Sequence, residues 1–171
     1  MPATSLLDEA LDAWTYARTG LVDEIRNLSA AELVLRPHAG SRTAAEIAVH
    51  VAQTSQMMAG ELSRPDGNFQ RKSFPAFMKE YGRGVRPTSS KADLVRLLKR
   101  TLAEGQRRLR NAGEIHMLQR ITQFNGEPCT RLTWMHHGIA HEEYHRGQIA
   151  LHARLSGRIP ALTQLIHGKG V

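Results

Sequence analysis

Apolar side chains recur every three or four residues through four long stretches of this chain, the period of helices that bury one stripe. The first stretch carries Leu7, Leu11, Trp14, Ala17, Leu21, Ile25 and Leu28, and Ser5 with Asp8 three residues on supplies its start signal. Ser29 and Glu32 form a second capping pair, opening a short helical turn that Pro37 and Gly40 end. Thr43 and Glu46 open the next long helix, with Ile47, His50, Thr54, Met57 and Met58 on one side of it. A third long helix is predicted from about Ser89 to Arg110, striped by Leu94, Leu97, Leu98, Thr101, Leu102 and Leu109. The last runs from near Thr130 to Ser156-Gly157, where glycine is the usual terminator.

Between these stretches the pattern breaks. Residues 63–87 hold Pro65, Gly67, Pro75, Gly82, Gly84 and Pro87, a long connection with room for a short helix around Ala76–Tyr81. From Asn111 to Pro128 the chain is irregular, with Asn125-Gly126 as a turn signal. No stretch alternates with period two, so no substantial sheet is expected. Four long helices with one lengthy connection between the second and third predict an all-α four-helix bundle.

Composition leaves that picture in place. A chain of 171 residues, 41% hydrophobic and 23% charged, is expected to form one domain over 1–171 with a core large enough to fold unaided. Its single cysteine, Cys129, excludes an intrachain disulfide. The first residues, MPATSLLDEALDAW, lack the basic-then-apolar order of a secretory signal, and no run approaches a membrane span. A cytoplasmic protein without a membrane partner is expected. The formal charge of +7 invites a nucleic-acid reading, but the basic residues are scattered and the densest cluster, Arg107, Arg108 and Arg110, fits a solvated helix face. The charge points instead to anionic small molecules.

Chemistry concentrates in the last helix. Five of nine histidines, His136, His137, His141, His145 and His152, fall within seventeen residues there. At about 100° per residue, Trp134, His137, His141, Tyr144, His145, Gln148, His152 and Leu155 share one face. His141 and His145 stand one turn apart, so both imidazoles can reach one ion. Imidazole suits zinc, nickel, copper and iron, and two ligands on one helix need a third from elsewhere. His50, inside a long helix on its apolar side, is the best candidate, against the bland alternative of a hydrogen-bonded core histidine. His137 and His152 are placed at the rim or behind the ligands; His38, His116, His136 and His167 receive no role.

HEEYH at 141–145 also satisfies the H-E-x-x-H pattern of zinc peptidases. The extended form of that pattern needs a glycine and a third histidine where Gln148 and Leu151 stand, and no acid follows Glu143. A peptidase therefore ranks low. Glu142 is left as a candidate general base, or else as a solvated or interface carboxylate.

Two segments carry a family resemblance. LSAAELVLRPHAGSRTAAEIAVHV, ending near His50, and HHGIAHEEYHRGQIALHARLSG, with His141, His145 and an Arg-Gly-Gln run, resemble the DinB-like (YfiT-like) family of metalloenzymes. The long second-to-third connection fits as well. The resemblance implies a bundle with an up-down-down-up course, often dimeric, and one divalent metal held by three histidines that map to His50, His141 and His145. Zinc or nickel leads, with iron or manganese as alternatives. Relatives include thiol-dependent S-transferases and a mycothiol-dependent isomerase, so a metal-dependent transferase or hydrolase acting on a small molecule, with an anionic low-molecular-weight thiol as partner, is implied. The rival is a non-catalytic protein whose metal staples two helices. No catalytic residue is assigned.

A homodimer is expected on a further ground. Opposite its histidine face the last helix presents Leu132, Met135, Ile139, Ala150 and Ala153, with Ile149 at the margin. Apolar residues on both sides call for a second partner, either another helix of the chain or a second copy, with Glu143 and Arg146 as rim contacts.

Overall fold

A computed structural model describes residues 4–168 of the chain. Four long helices make the frame: α1 (Leu6–Asn27), α3 (Ala44–Leu62), α5 (Lys91–Ala112) and α7 (Arg131–Leu155). Short elements fill the connections: α2 (Ala30–Val34), α4 (Phe74–Tyr81), α6 (Glu114–Met117) and α8 (Ala161–His167), with a small hairpin of β1 (Arg120–Thr122) and β2 (Pro128–Thr130).

The helix starts follow the sequence signals. Ser5 accepts from the Asp8 amide at 3.1 Å. Ser29 with Glu32 and Thr43 with Glu46 each close a reciprocal capping box. Gly157, in the left-handed region at φ 74, stands just past α7, as expected of a helix terminator.

The direction of each helix can be read from the two clusters that make up the core. One joins the end of α1 (Leu21, Ile25), the start of α3 (Ala44–Ala52), the start of α5 (Leu94, Leu98) and the end of α7 (Ile149, Ala153). The other joins the opposite ends: Leu11 and Trp14, Met58 and Leu62, Leu109, Met135 and Ile139. The course is therefore up-down-down-up. Since α3 and α5 run the same way, the chain must return the length of the bundle between them, which is what residues 63–90 do. Glu61 pins that return: its fully buried carboxylate accepts from the Asn68 amide (2.7 Å), Arg71 (2.6 and 2.8 Å) and the Tyr81 hydroxyl (2.7 Å).

The sequence pattern did not foresee α6, α8 or the hairpin. With three residues per strand, paired Arg120 to Thr130 and Thr122 to Pro128, the hairpin is too short to show a period of two. Its connection holds Asn125-Gly126, with Gly126 at φ 89. The short helix in the long connection begins at Phe74, two residues earlier than expected.

The second apolar side of α7 finds its partner inside the chain. Leu132, Met135, Ile139, Ile149 and Ala153 are all buried in the two core clusters. Arg146 is buried too, lying over the Tyr16 ring with its guanidinium carbon 5.5 Å from the ring centre, and it pairs with Glu143 of its own helix at 3.2 Å. Gly20 of α1 gives it room, since a Cβ there would fall 2.2 Å from the Arg146 guanidinium. The double-sided pattern that suggested a second copy is thus satisfied by α1. No helix among the described residues is long and apolar enough to cross a membrane.

Candidate metal centre

The pairing of α3 with α7 brings His50 against His141 and His145. One ring nitrogen of each lies within 4.8 Å of the others, a group that could hold a metal ion. The rings meet edge to face, His50 to His141 at 5.4 Å, His50 to His145 at 5.0 Å and His141 to His145 at 4.4 Å between centroids. The two Nε2 atoms on α7 are 3.1 Å apart. Two nitrogens bound at ~2.0–2.1 Å to one tetrahedral ion would be ~3.3 Å apart, so little movement separates the α7 pair from two adjacent ligands.

The electrostatics favour the neutral, ligating form. Burial, assisted by the Arg42 charge and by the other imidazoles, lowers His50 to about 4 and His141 to about 4. His145 is also lowered, again chiefly by burial. Its Nδ1 faces the Gln148 carboxamide oxygen at 2.7 Å. With Nδ1–H donating there, the Nε2 lone pair is free and aimed at the centre. Gln148, one turn beyond His145, was on the predicted histidine face, but nothing in its residue type singled it out.

Two openings flank the group and differ in character. On the His141 side is a cavity of about 250 Å³ walled by Met57, Met58, Phe74, Phe124 and Trp134. On the His50 side is a wider cleft of about 810 Å³ whose walls include Arg42, Gln53, Thr88 and Ser89. Arg42 precedes the Thr43 cap of α3, so the start of that helix delivers a cation beside the histidines.

Glu142 is neither solvated nor available as a base. It is 2% exposed, and both oxygens are committed: Oε1 accepts from Trp14 Nε1 at 2.7 Å and Arg18 Nη2 at 2.5 Å, and Oε2 from Arg18 Nε at 2.8 Å. Arg18 in turn donates to the Leu98 carbonyl (2.6 Å) and the Thr101 hydroxyl (3.0 Å), tying α1, α5 and α7 together. Local sequence pattern cannot reveal this knot, because its charged pair is separated by 124 residues.

The remaining histidines stay outside the group. His137 is exposed at the cavity mouth against Trp134, centroids 5.1 Å apart. His152 is buried further along α7, held below its usual pKa by burial, and its Nδ1 has no hydrogen-bond partner. His116 contacts the Leu62 carbonyl at 2.9 Å. His38 accepts from the Gly40 amide at 3.2 Å, and His136 is exposed.

Comparison with known proteins agrees with this fold. YfiT from Bacillus subtilis, described as a probable metal-dependent hydrolase with an unusual four-helix bundle topology, superposes with a TM-score of 0.69 over 92% of this chain and 94% of its own, at 14% identity. A DinB-like protein from Bacillus cereus ATCC 10987 gives 0.66 over 88% and 93%, at 18% identity. A mycothiol-dependent maleylpyruvate isomerase gives 0.63 at 13% identity, covering 86% of this chain but 63% of the isomerase. No curated protein matches the chain in sequence. The sequence profile of the DinB superfamily matches residues 13–149, nearly the whole bundle, and the chain belongs to that superfamily.

Proposed function

We propose that this chain is a metal-dependent enzyme in which His50, His141 and His145 hold one divalent cation, zinc or nickel before iron or manganese. The observation that carries the reading is the convergence of three neutral imidazoles from two helices into a group that, among the described residues, contains no fourth histidine, cysteine or carboxylate. Three protein ligands with a position left over is the pattern of a catalytic rather than a structural site. When bound, such an ion supplies a Lewis acid that lowers the pKa of a water or thiol.

The chain's own residues would do the rest. Gln148 orients His145, and burial keeps His50 and His141 unprotonated near neutrality. The wider cleft, with Arg42 in its wall, suits an anionic low-molecular-weight thiol, and the apolar cavity suits a second molecule. Two separate openings on one centre favour thiol transfer over hydrolysis. The likeness to a mycothiol-dependent isomerase supports the same choice, and the likeness to YfiT supports hydrolysis. The engagement of Glu142 by Arg18 and Trp14 weighs against a peptidase, which needs that carboxylate free.

Metal analysis of tag-free protein tests the reading. One ion per chain is expected, lost in His141→Ala and in His50→Ala while circular dichroism stays helical; unchanged stoichiometry in either variant would overturn the ligand set. The metal-loaded protein is then assayed with bacillithiol, mycothiol or glutathione and an alkylating acceptor, and with simple esters and amides without thiol. Turnover in neither assay would favour the stapling role.

A further inference from the structure

The cavity beside His141 is walled chiefly by apolar side chains. Met57 and Met58 come from α3, Trp134 from α7, Phe74 from α4 and Phe124 from the hairpin. Apart from His137 at the mouth and His141, the polar side chains that touch it are committed elsewhere. The Thr54 hydroxyl donates to the His50 and Val51 carbonyls (3.1 and 3.2 Å), the Ser55 hydroxyl to the Ala52 carbonyl (3.0 Å), and Glu142 is saturated by Arg18 and Trp14. An ionised ligand seated among Met57, Met58, Phe124 and Trp134 would lose water and gain no counter-charge from those walls.

Size narrows the class further. An apolar cavity of ~150 Å³ takes up benzene, whereas ordinary ligand sites begin near ~300 Å³. At about 250 Å³ this one has room for a substituted benzene or an indole and none for a nucleotide or peptide. Gly138 sets the inner wall: a Cβ at that position would fall 2.0 Å from Met58 Sδ. The missing side chain on α7 is what allows Met58 to stand where it bounds the cavity, one turn before His141.

We propose that the acceptor substrate of this enzyme is a small, uncharged, largely apolar molecule of one or two rings, bound between Met58, Trp134 and Phe124 with its reacting edge toward His141, and that the Gly138–Met58 contact sets its size limit. The assignment of this molecule as substrate rests on the metal-enzyme reading above. Its binding does not, because no wall residue is one of the other two histidines.

Binding is measured on the metal-free full-length chain by 19F NMR with 4-fluorotoluene, using 4-fluorobenzoate and 4-fluorobenzylammonium as charged isosteres. Saturable binding of 4-fluorotoluene is expected, about tenfold or more tighter than either charged probe, with shifts in the His141 imidazole signals and none in those of His38. Gly138→Ala drives Met58 into the cavity and is expected to weaken binding about tenfold, and Gly138→Ala/Met58→Ala to restore most of it. Met58→Phe, which fills the same space from α3, should weaken binding as Gly138→Ala does and serves if the alanine variant fails to fold. Absence of saturable binding, equal binding of the charged probes, or affinity indifferent to both Gly138→Ala and Met58→Phe would overturn the proposal. His50→Ala separates the two readings: it is expected to lose metal and keep 4-fluorotoluene, so either property can fail alone.

Discussion

Two polar clusters begin one residue apart on α7, one buried and the other half-buried, and they are built on opposite plans. Glu142 reaches toward α1 and α5, where Arg18 and Trp14 use both of its oxygens and Arg18 spends its remaining donors on Leu98 and Thr101. His141 and His145 reach toward α3, where they meet His50 and gather ring nitrogens with no carboxylate to balance them. The first cluster is closed: the two charges are paired, and both carboxylate oxygens accept from Arg18 or Trp14. The second is open, with neutral bases converging between two cavities. Buried ion pairs whose charges satisfy one another tie a fold together, whereas converging neutral bases with perturbed titration mark a candidate site. Residue type left Glu142 open as a candidate base or a solvated carboxylate, and only the packing shows its carboxylate engaged by Arg18 and Trp14.

Breaking the closed cluster should give the larger effect on stability. Glu142→Ala leaves Arg18 buried without its counter-ion, and removing one partner of such a pair costs about 3–5 kcal/mol. Urea unfolding of the metal-free variant is expected to show that loss, while metal stoichiometry measured on the folded fraction stays unchanged. A variant as stable as wild type, or one that is stable but has lost its metal, would erase the distinction between the clusters. Replacing both partners with apolar residues, Arg18→Met with Glu142→Leu, should recover much of the stability.

A smaller effect is expected from the support of the open cluster. Gln148→Ala removes the acceptor on His145 Nδ1, and loss of such a supporting hydrogen bond commonly lowers metal affinity ~10–100-fold. Competition with a metal-sensitive chelating dye measures it, and thermal stability of the metal-free protein should barely move. If Gln148→Ala proved as damaging to metal binding as His141→Ala, the glutamine would have to be counted among the ligands.

The open cluster also sets a pH dependence. In the unfolded chain His50 and His141 titrate near the ordinary value of 6.5, and in the fold near 4. Above 6.5 both states are neutral and no penalty arises. As pH falls from 6.5 toward 4, the unfolded chain takes up protons that the folded imidazoles refuse, so stability of the metal-free protein declines across that window and levels off below it. Carboxylates add their own slope at the acid end, so the comparison is between wild type and a His50→Ala/His141→Ala variant. The variant should have the flatter profile between pH 6.5 and 5; parallel profiles would mean that the histidines are not buried as described.

Much of the frame is legible from local pattern because helices are local objects. Hydrogen bonds close within four residues, so the apolar period and the capping residues Ser5, Ser29 and Thr43 suffice to place three helix starts. The His141–His145 pair was equally legible, since one helical turn fixes their proximity whatever the rest of the chain does. The same local view left open what surrounds them. It offered Glu142 to solvent, to an interface or to catalysis, and it offered the apolar residues opposite the histidines to another helix of the chain or to a second copy.

Only the tertiary structure decided those matters, and the reason is the same in each. A helix presents its faces to whatever packs beside it, and neighbours in this bundle are not neighbours in sequence: α1 lies against α7, and α3 against both α5 and α7. Arg18 finds Glu142, Arg146 finds the gap left by Gly20, and Met58 finds the one left by Gly138, each across a separation at which sequence spacing carries no information. The sequence by itself determined the four long helices and that His141 and His145 stand one turn apart on the last of them. Gln148 stands beside the His145 Nδ1 from the same helix. Packing brought His50 against the pair and turned Glu142 away to Arg18 and Trp14, because those neighbours come from helices distant in sequence.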